Sequence, residues 1–165
     1  MHHNNWSITA TAVLVLALTN SMQPLAASAS APSPCTLVTR EEAAQAWGAK
    51  VPAGIEQTVP VPVPGGRTLT TAFCMYGSAV TVSRTPLGGD AKRFFALLRQ
   101  DNEATKGDDL VNVTGLGDEA FYGLGKLTIR KGDTLLEVGI AQKMGFGPAE
   151  FAMAKRLGGL ALSRL

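Results

Sequence analysis

Residues 68–85, TLTTAFCMYGSAVTVSRT, decide the fold. The first half is rich in β-branched and aromatic residues, with Leu69, Thr71, Phe73 and Met75 on one face and Thr70, Ala72, Cys74 and Tyr76 on the other. Gly77-Ser78 is turn material, and from Ala79 to Thr85 the residues Val80 and Val82 alternate with Thr81 and Ser83. Two alternating runs joined by so short a turn predict an antiparallel hairpin.

Toward the C-terminus, Asp90 is placed to cap a helix over 91–104, whose apolar positions Ala91, Phe94, Phe95 and Leu98 follow the i, i+3, i+4, i+7 rule. Gly107-Asp108 breaks the chain. Short strands are expected at Leu110–Val113, Ala120–Tyr122 and Lys126–Arg130, and a last strand at Thr134–Ala141 after the turn Lys131-Gly132-Asp133. Gly147-Pro148 starts a final helix, with Glu150 near its positive end and Met153, Ala154, Leu157, Leu160 and Ala161 along one side. Gly158-Gly159 weakens that helix by about 1 kcal/mol per glycine relative to alanine unless close packing on a sheet offsets the loss.

Toward the N-terminus, Thr39-Arg40-Glu41-Glu42 fits a capping box, with Val38 and Ala43 placed for a weak staple, and predicts a helix over 40–47 that ends at Gly48. Ala43, Ala44 and Trp47 form its buried stripe. From Ala49 to Gly66 the chain reads as irregular. Pro60, Pro62 and Pro64 delete alternate backbone donors, so this run is expected as an exposed arm or an edge segment. The order helix, two strands, helix, three or four strands, helix predicts an α+β fold: an antiparallel sheet of about five strands in a two-layer domain with helices packed on it.

The chain opens with an apolar run, Ile8–Leu18, followed by Ala27-Ser28-Ala29. This is the pattern of a cleaved export signal over 1–29, too short in its apolar core to span a bilayer, although MHHNNWS before it carries no Lys or Arg. Cleavage leaves about 136 residues, enough for one core: a lead-in over 30–34, expected to be disordered, and a single domain over 35–165. It also removes His2 and His3, the only histidines of the chain. The expected location is periplasmic or secreted.

Fifteen Lys and Arg against thirteen Asp and Glu, with the basic residues scattered, give no electrostatic footprint for a nucleic acid or for acidic lipid. After the leader no apolar stretch is long enough for a transmembrane segment. Cys35 and Cys74, an even pair in an oxidising compartment, are read as a disulfide. A lipid anchor on Cys35 competes with that reading, but Ala31-Pro32-Ser33-Pro34 is no lipobox; a soft metal on two thiolates would be two ligands short of a tetrahedral site.

Catalytic constellations are sparse. Without histidine, Ser-His-Asp and Cys-His arrangements are impossible in the mature chain, and no motif places a Ser-Lys pair. Gly115-Leu116-Gly117-Asp118-Glu119-Ala120 spells the dinucleotide fingerprint, yet a strand rather than a helix is expected after it, so it reads as a turn. Asp118 and Glu137, with Glu119 nearby, are the carboxylates a glycosidase would use; neighbours on an extended strand face opposite ways, so Asp118 and Glu119 cannot share a cleft. Tyr76, Tyr122 and Trp47 read as packing residues before they read as a sugar platform. Lys92, Arg93 and Arg99, beside Asp101 and Glu103, read as a solvated helix face rather than a membrane contact.

Taken together, Cys35 with Leu37, the Thr39–Glu42 helix ending at Trp47-Gly48, Cys74 with Tyr76, Val113–Phe121 and Leu127–Asp133 resemble a group of small exported or lipid-anchored bacterial envelope domains of uncharacterised function. The pattern covers most of the mature chain. The resemblance implies a compact α+β domain with its two cysteines bridged, and it supplies no catalytic residues. The expected function is a non-catalytic envelope module that needs no cofactor or metal and binds an envelope protein or a small ligand, with the arm from Pro60 to Gly66 as the partner contact. The alternative is a His-free hydrolase of cell-wall polymer acting through Asp118 and Glu137.

Overall fold

A computed structural model of the chain describes residues 31–63, 67–106, 110–141 and 147–165. The leader with its histidines, Ser30, the end of the proline arm (Pro64–Gly66) and the Gly107-Asp108 break lie outside the described residues.

The chain enters through α1 (Pro34–Leu37), where Ser33 Oγ accepts from the Cys35 amide at 3.2 Å and Pro34 occupies the first turn. Ser33 and Pro34, read from the sequence as the end of a disordered lead-in, therefore belong to the folded domain. In α2 (Arg40–Trp47) the capping box closes as expected: Thr39 Oγ1 accepts from Glu42 N–H at 3.3 Å, and Glu42 Oε2 accepts from Thr39 N–H at 2.9 Å. Gly48 ends the helix at φ 72°.

The strands are β1 (Ile55–Val63), β2 (Arg67–Tyr76), β3 (Val80–Pro86), β4 (Val111–Asn112), β5 (Glu119–Gly123), β6 (Lys126–Lys131) and β7 (Thr134–Ile140). A 3-10 turn at Gly88–Asp90 leads into α3 (Ala91–Lys106), and α4 (Pro148–Ser163) closes the chain. All seven strands form one antiparallel sheet in the order β1-β2-β3-β7-β6-β5-β4. The predicted hairpin is β2–β3, and pairing of Val82 with Val138 joins it to the C-terminal meander.

The α+β class and the antiparallel sheet stand; the expected strand count and element order do not. Among the described residues seven strands replace about five, and two helices precede the first strand. The added long strand is β1, in the stretch read as irregular. Its prolines are tolerated because β1 is an edge: a proline cannot donate to a ladder, so the register that pairs Pro60 with Thr70 and Pro62 with Thr68 turns both nitrogens away from β2. Asp90 was expected as a helix cap, but its carboxylate accepts from Arg67 Nη1 at 2.7 Å.

The two-layer expectation is also corrected, because helices cover both faces. On one face α1, α2 and α4 pack Leu37, Val38, Ala43, Ala154 and Leu157 onto Cys74, Val82, Leu127, Ile129 and Val138. On the other, α3 packs Ala91 and Phe95 onto Leu69, Phe121 and Leu135, with the Phe95 and Phe121 rings 5.3 Å apart. Leu135 and Leu136, adjacent in β7 and pointing opposite ways, are both buried for this reason. Residues 31–165 form one compact unit. Among the described residues no helix is long and apolar enough to cross a membrane.

Candidate functional site

Cys35 of α1 and Cys74 of β2 are joined in a disulfide, with their Cα atoms 5.0 Å apart. The bridge fastens the start of the domain to the sheet and sits in a crowded place. A Cβ on Gly54 would stand 2.7 Å from Cys74 Sγ and 3.0 Å from Cys35 Sγ. Tyr76 beside it is 1% exposed and donates from its hydroxyl to the Val38 carbonyl. Burial, followed by the nearby Glu42 and Glu41 charges, pushes the Tyr76 phenol above its ordinary range.

The aromatic candidates do not assemble a platform. Tyr76 and Tyr122 are buried and Trp47 is half-buried, packed against the main core. The Tyr122 ring lies 5.0 Å from that of Phe151 in α4. On α3, Lys92 and Arg93 are exposed and Arg99 pairs with Glu103 at 2.8 Å.

The fingerprint-like segment is a turn between strands. Gly115 and Gly117 have φ of 79° and 63°, and β5 begins at Glu119, so the segment runs into a strand and no helix starts from it. Gly117 is also pressed against β6, where a Cβ would meet the Arg130 carbonyl at 2.4 Å. Asp118 lies in the bend before β5, so the opposite-face rule for extended neighbours does not govern it. Asp118 and Glu119 instead converge on Arg130, which donates to Glu119 Oε2 at 2.7 Å and to Asp118 Oδ2 at 3.0 Å. A Gly132 N–H bond to Asp118, reinforced by Arg130 and Lys131, holds the Asp118 carboxyl below its ordinary range. That is the reverse of what a general acid requires.

Glu137 lies elsewhere. It belongs to the cross-strand row Phe121–Thr128–Glu137–Ser83, whereas Glu119 belongs to the row through Arg130 and Leu135. Two strand spacings and two residues put the Glu119 and Glu137 Cα atoms about 12 Å apart. The Glu137 carboxylate leans away from Asp118, toward Lys126 Nζ at 2.7 Å, and accepts from Ser83 Oγ at 3.2 Å. Each carboxylate of the supposed pair is held by its own cation.

What the structure does bring together is a groove between the β1–β2 edge of the sheet and α3. Three adjoining hollows of about 220, 300 and 580 Å³ all have Val63 and Phe94 in their walls. The outermost runs along Val61, Pro62 and Val63 of β1 and along Leu97 and Leu98 of α3. The arm segment favoured from the sequence thus forms one wall, as far as Val63. The opposite wall, Phe94, Leu97 and Leu98, was legible only as a helix stripe; Leu97, 40% exposed, falls outside the i, i+3, i+4 pattern. The polar groups of the inner hollow, Thr71, Thr85, Lys126 and Glu137, come from four strands, and no local spacing announces them. Among the described residues no cluster of three or more His, Cys, Asp or Glu is arranged to hold a metal ion. The chain matches no family model, no curated protein and no solved structure.

Proposed function

We propose that this chain is an exported, non-catalytic module of a bacterial envelope, periplasmic or secreted, that binds an envelope component or a small ligand along the groove between β1 and α3. The groove carries the proposal: apolar side chains from two elements face one another across open space, with β1 as a stiff outer wall. The Cys35–Cys74 bridge suits an oxidising compartment, and the resemblance to small exported envelope domains points the same way. Hydrolysis through Asp118 and Glu137 has less support, since the two side chains reach for different partners in different rows of the sheet.

The test is capture from a native envelope extract with the purified oxidised protein as bait. Val61→Asp and Leu97→Asp, both at half-buried or exposed positions, should keep the thermal midpoint and lose the captured component. Capture unchanged by either substitution and by deletion of residues 60–66 would remove the groove from the function. Turnover of cell-wall polymer that disappears in Glu137→Gln would replace binding by hydrolysis.

A further inference from the structure

We infer that the inner hollow of the groove binds an uncharged amphiphile, a molecule with an apolar chain or ring body and a hydroxyl or amide head. This rests on the binding reading above and names the chemistry of the ligand. The hollow measures about 300 Å³ and is walled by Val61 and Val63 of β1, Phe73 of β2, Phe94 and Leu98 of α3 and Leu135 of β7. Its size is at the lower end for small-molecule sites, and its lining is the usual one of apolar walls around a few placed polar groups.

The polar groups fix the charge of the occupant. Lys126 Nζ and Glu137 Oε1 are 2.7 Å apart, and Ser83 Oγ donates to the other carboxylate oxygen. Thr71 Oγ1 and Thr85 Oγ1, on residues 4% and 5% exposed, share a hydrogen bond of 2.8 Å. The hollow therefore holds one ammonium and one carboxylate that neutralise each other, and a pair of hydroxyls that satisfy each other. The next hollow differs: Arg67 pairs with Asp90 at 2.7 Å there, but Arg93 adds a second guanidinium to its wall. In the inner hollow an ionic head would have to split the Lys126–Glu137 pair or go without a counter-charge among apolar walls. A hydroxyl or amide meets no such obstacle: the ammonium has donors left over, and the threonine oxygens and the carboxylate keep free lone pairs.

The probe is N-phenyl-1-naphthylamine, uncharged at neutral pH and fluorescent in apolar surroundings, titrated into the purified oxidised protein. Saturable one-site binding is expected. In competition, octan-1-ol should displace the probe at concentrations about tenfold lower than octanoate or octylammonium, which carry the same chain with a charged head. Phe94→Asp and Leu98→Trp, one charging the wall and the other filling the space, should each weaken probe binding about tenfold at an unchanged thermal midpoint. Since both positions are half-buried, one of the two variants at least is expected to stay folded. Absence of saturable binding, or binding indifferent to both substitutions, would overturn the site. Preference for either charged competitor would overturn the head-group assignment. Envelope capture that depends on Val61 and Leu97 while the probe fails to bind would sink this inference alone and leave the binding module standing.

Discussion

Gly158 of α4 lies so close to Leu127 of β6 that a Cβ added to it would stand 2.6 Å from Leu127 Cδ2, and 3.0 Å from Ile129 Cδ1. Both leucine and isoleucine are fully buried and have little room to move. The helix can rest on the sheet at this distance only with a hydrogen in place of a side chain. Its neighbour Gly159 is different, with Leu116 Cδ2 at 3.8 Å as its nearest contact.

Adjacent glycines should therefore respond with opposite signs. Alanine at either position gains about 1 kcal/mol of helix propensity. At 158 an overpacking penalty of about 1 to 3 kcal/mol outweighs it, and Gly158→Ala should be destabilised by about 1 kcal/mol. Gly159→Ala should be stabilised by up to about 1 kcal/mol. Urea midpoints of the two variants on either side of the parent would show this; a rise in both would mean that α4 does not sit this close.

The disulfide should carry a large part of the stability. Residues 35 and 74 are 39 apart in sequence, and a loop of that length contributes about 4 kcal/mol in the chain-entropy model. The Cys35→Ala/Cys74→Ala double variant should lose roughly that amount in urea, and reductant should shift the parent but not the variant. Gly54→Ala, whose methyl would press on both sulfurs and stand 2.9 Å from the buried Tyr76 ring, should cost about 1 to 2 kcal/mol in the oxidised protein and part of that once the bridge is reduced, since the ring contact stays. An equal cost in both states would locate the crowding elsewhere.

Glu42 supplies a pH dependence. Arg164 at the end of α4 donates to both of its oxygens, at 2.6 and 2.7 Å, and lowers the Glu42 carboxyl from 4.5 to about 2, burial opposing and the Thr39 amide assisting. The folded value lies below the unfolded one, so the contribution is complete above about 4.5 and is lost as pH falls toward 2. Glu42→Gln keeps a side chain that can close the capping box and removes the charge. It should be about 1 kcal/mol less stable than the parent at neutral pH, a value discounted for solvent screening of a partly exposed pair. The gap should shrink between pH 4.5 and 2. A gap that persists at the lowest pH would assign the loss to the cap rather than to the ion pair.

Elements announced by local chemistry were legible in the sequence. The capping box of α2, the β2–β3 hairpin, the meander from β5 to β7 and the proline start of α4 all follow from residues within a few positions of one another. The strand β1 was legible in part: its prolines pointed to an exposed arm or an edge segment, and the sheet order places it at the edge, but Ile55–Val59 lay in a stretch read as irregular. The four-residue α1 is too short for periodicity and was masked by the prolines around it. The third layer depends on α3 crossing to the other face, a choice the connection after β3 makes without a local signature. Of the groove, only the arm near Pro60 was singled out in the sequence, as a partner contact and not as a wall. The groove's inner polar groups were not anticipated, because Thr71, Thr85, Lys126 and Glu137 meet only through the register of β2, β3, β6 and β7.

The same prolines that pointed to an edge should guard it. Nine residues of edge strand end a seven-stranded sheet, and Ile55 and Val59 stand 58% and 41% exposed along it. Such an edge is a template for a further strand unless its outward donors are removed. Pro60 and Pro62 remove two of them. The Pro60→Thr/Pro62→Thr double variant restores both with a residue that favours strands, and β1 should stay paired with β2 because that side of the ladder is untouched. The variant should then self-associate in a concentration-dependent way, read by light scattering after size exclusion, with its thermal midpoint at low concentration near that of the parent. Identical scattering from both proteins across the same concentrations would mean that something other than the prolines keeps the outer edge of β1 from pairing.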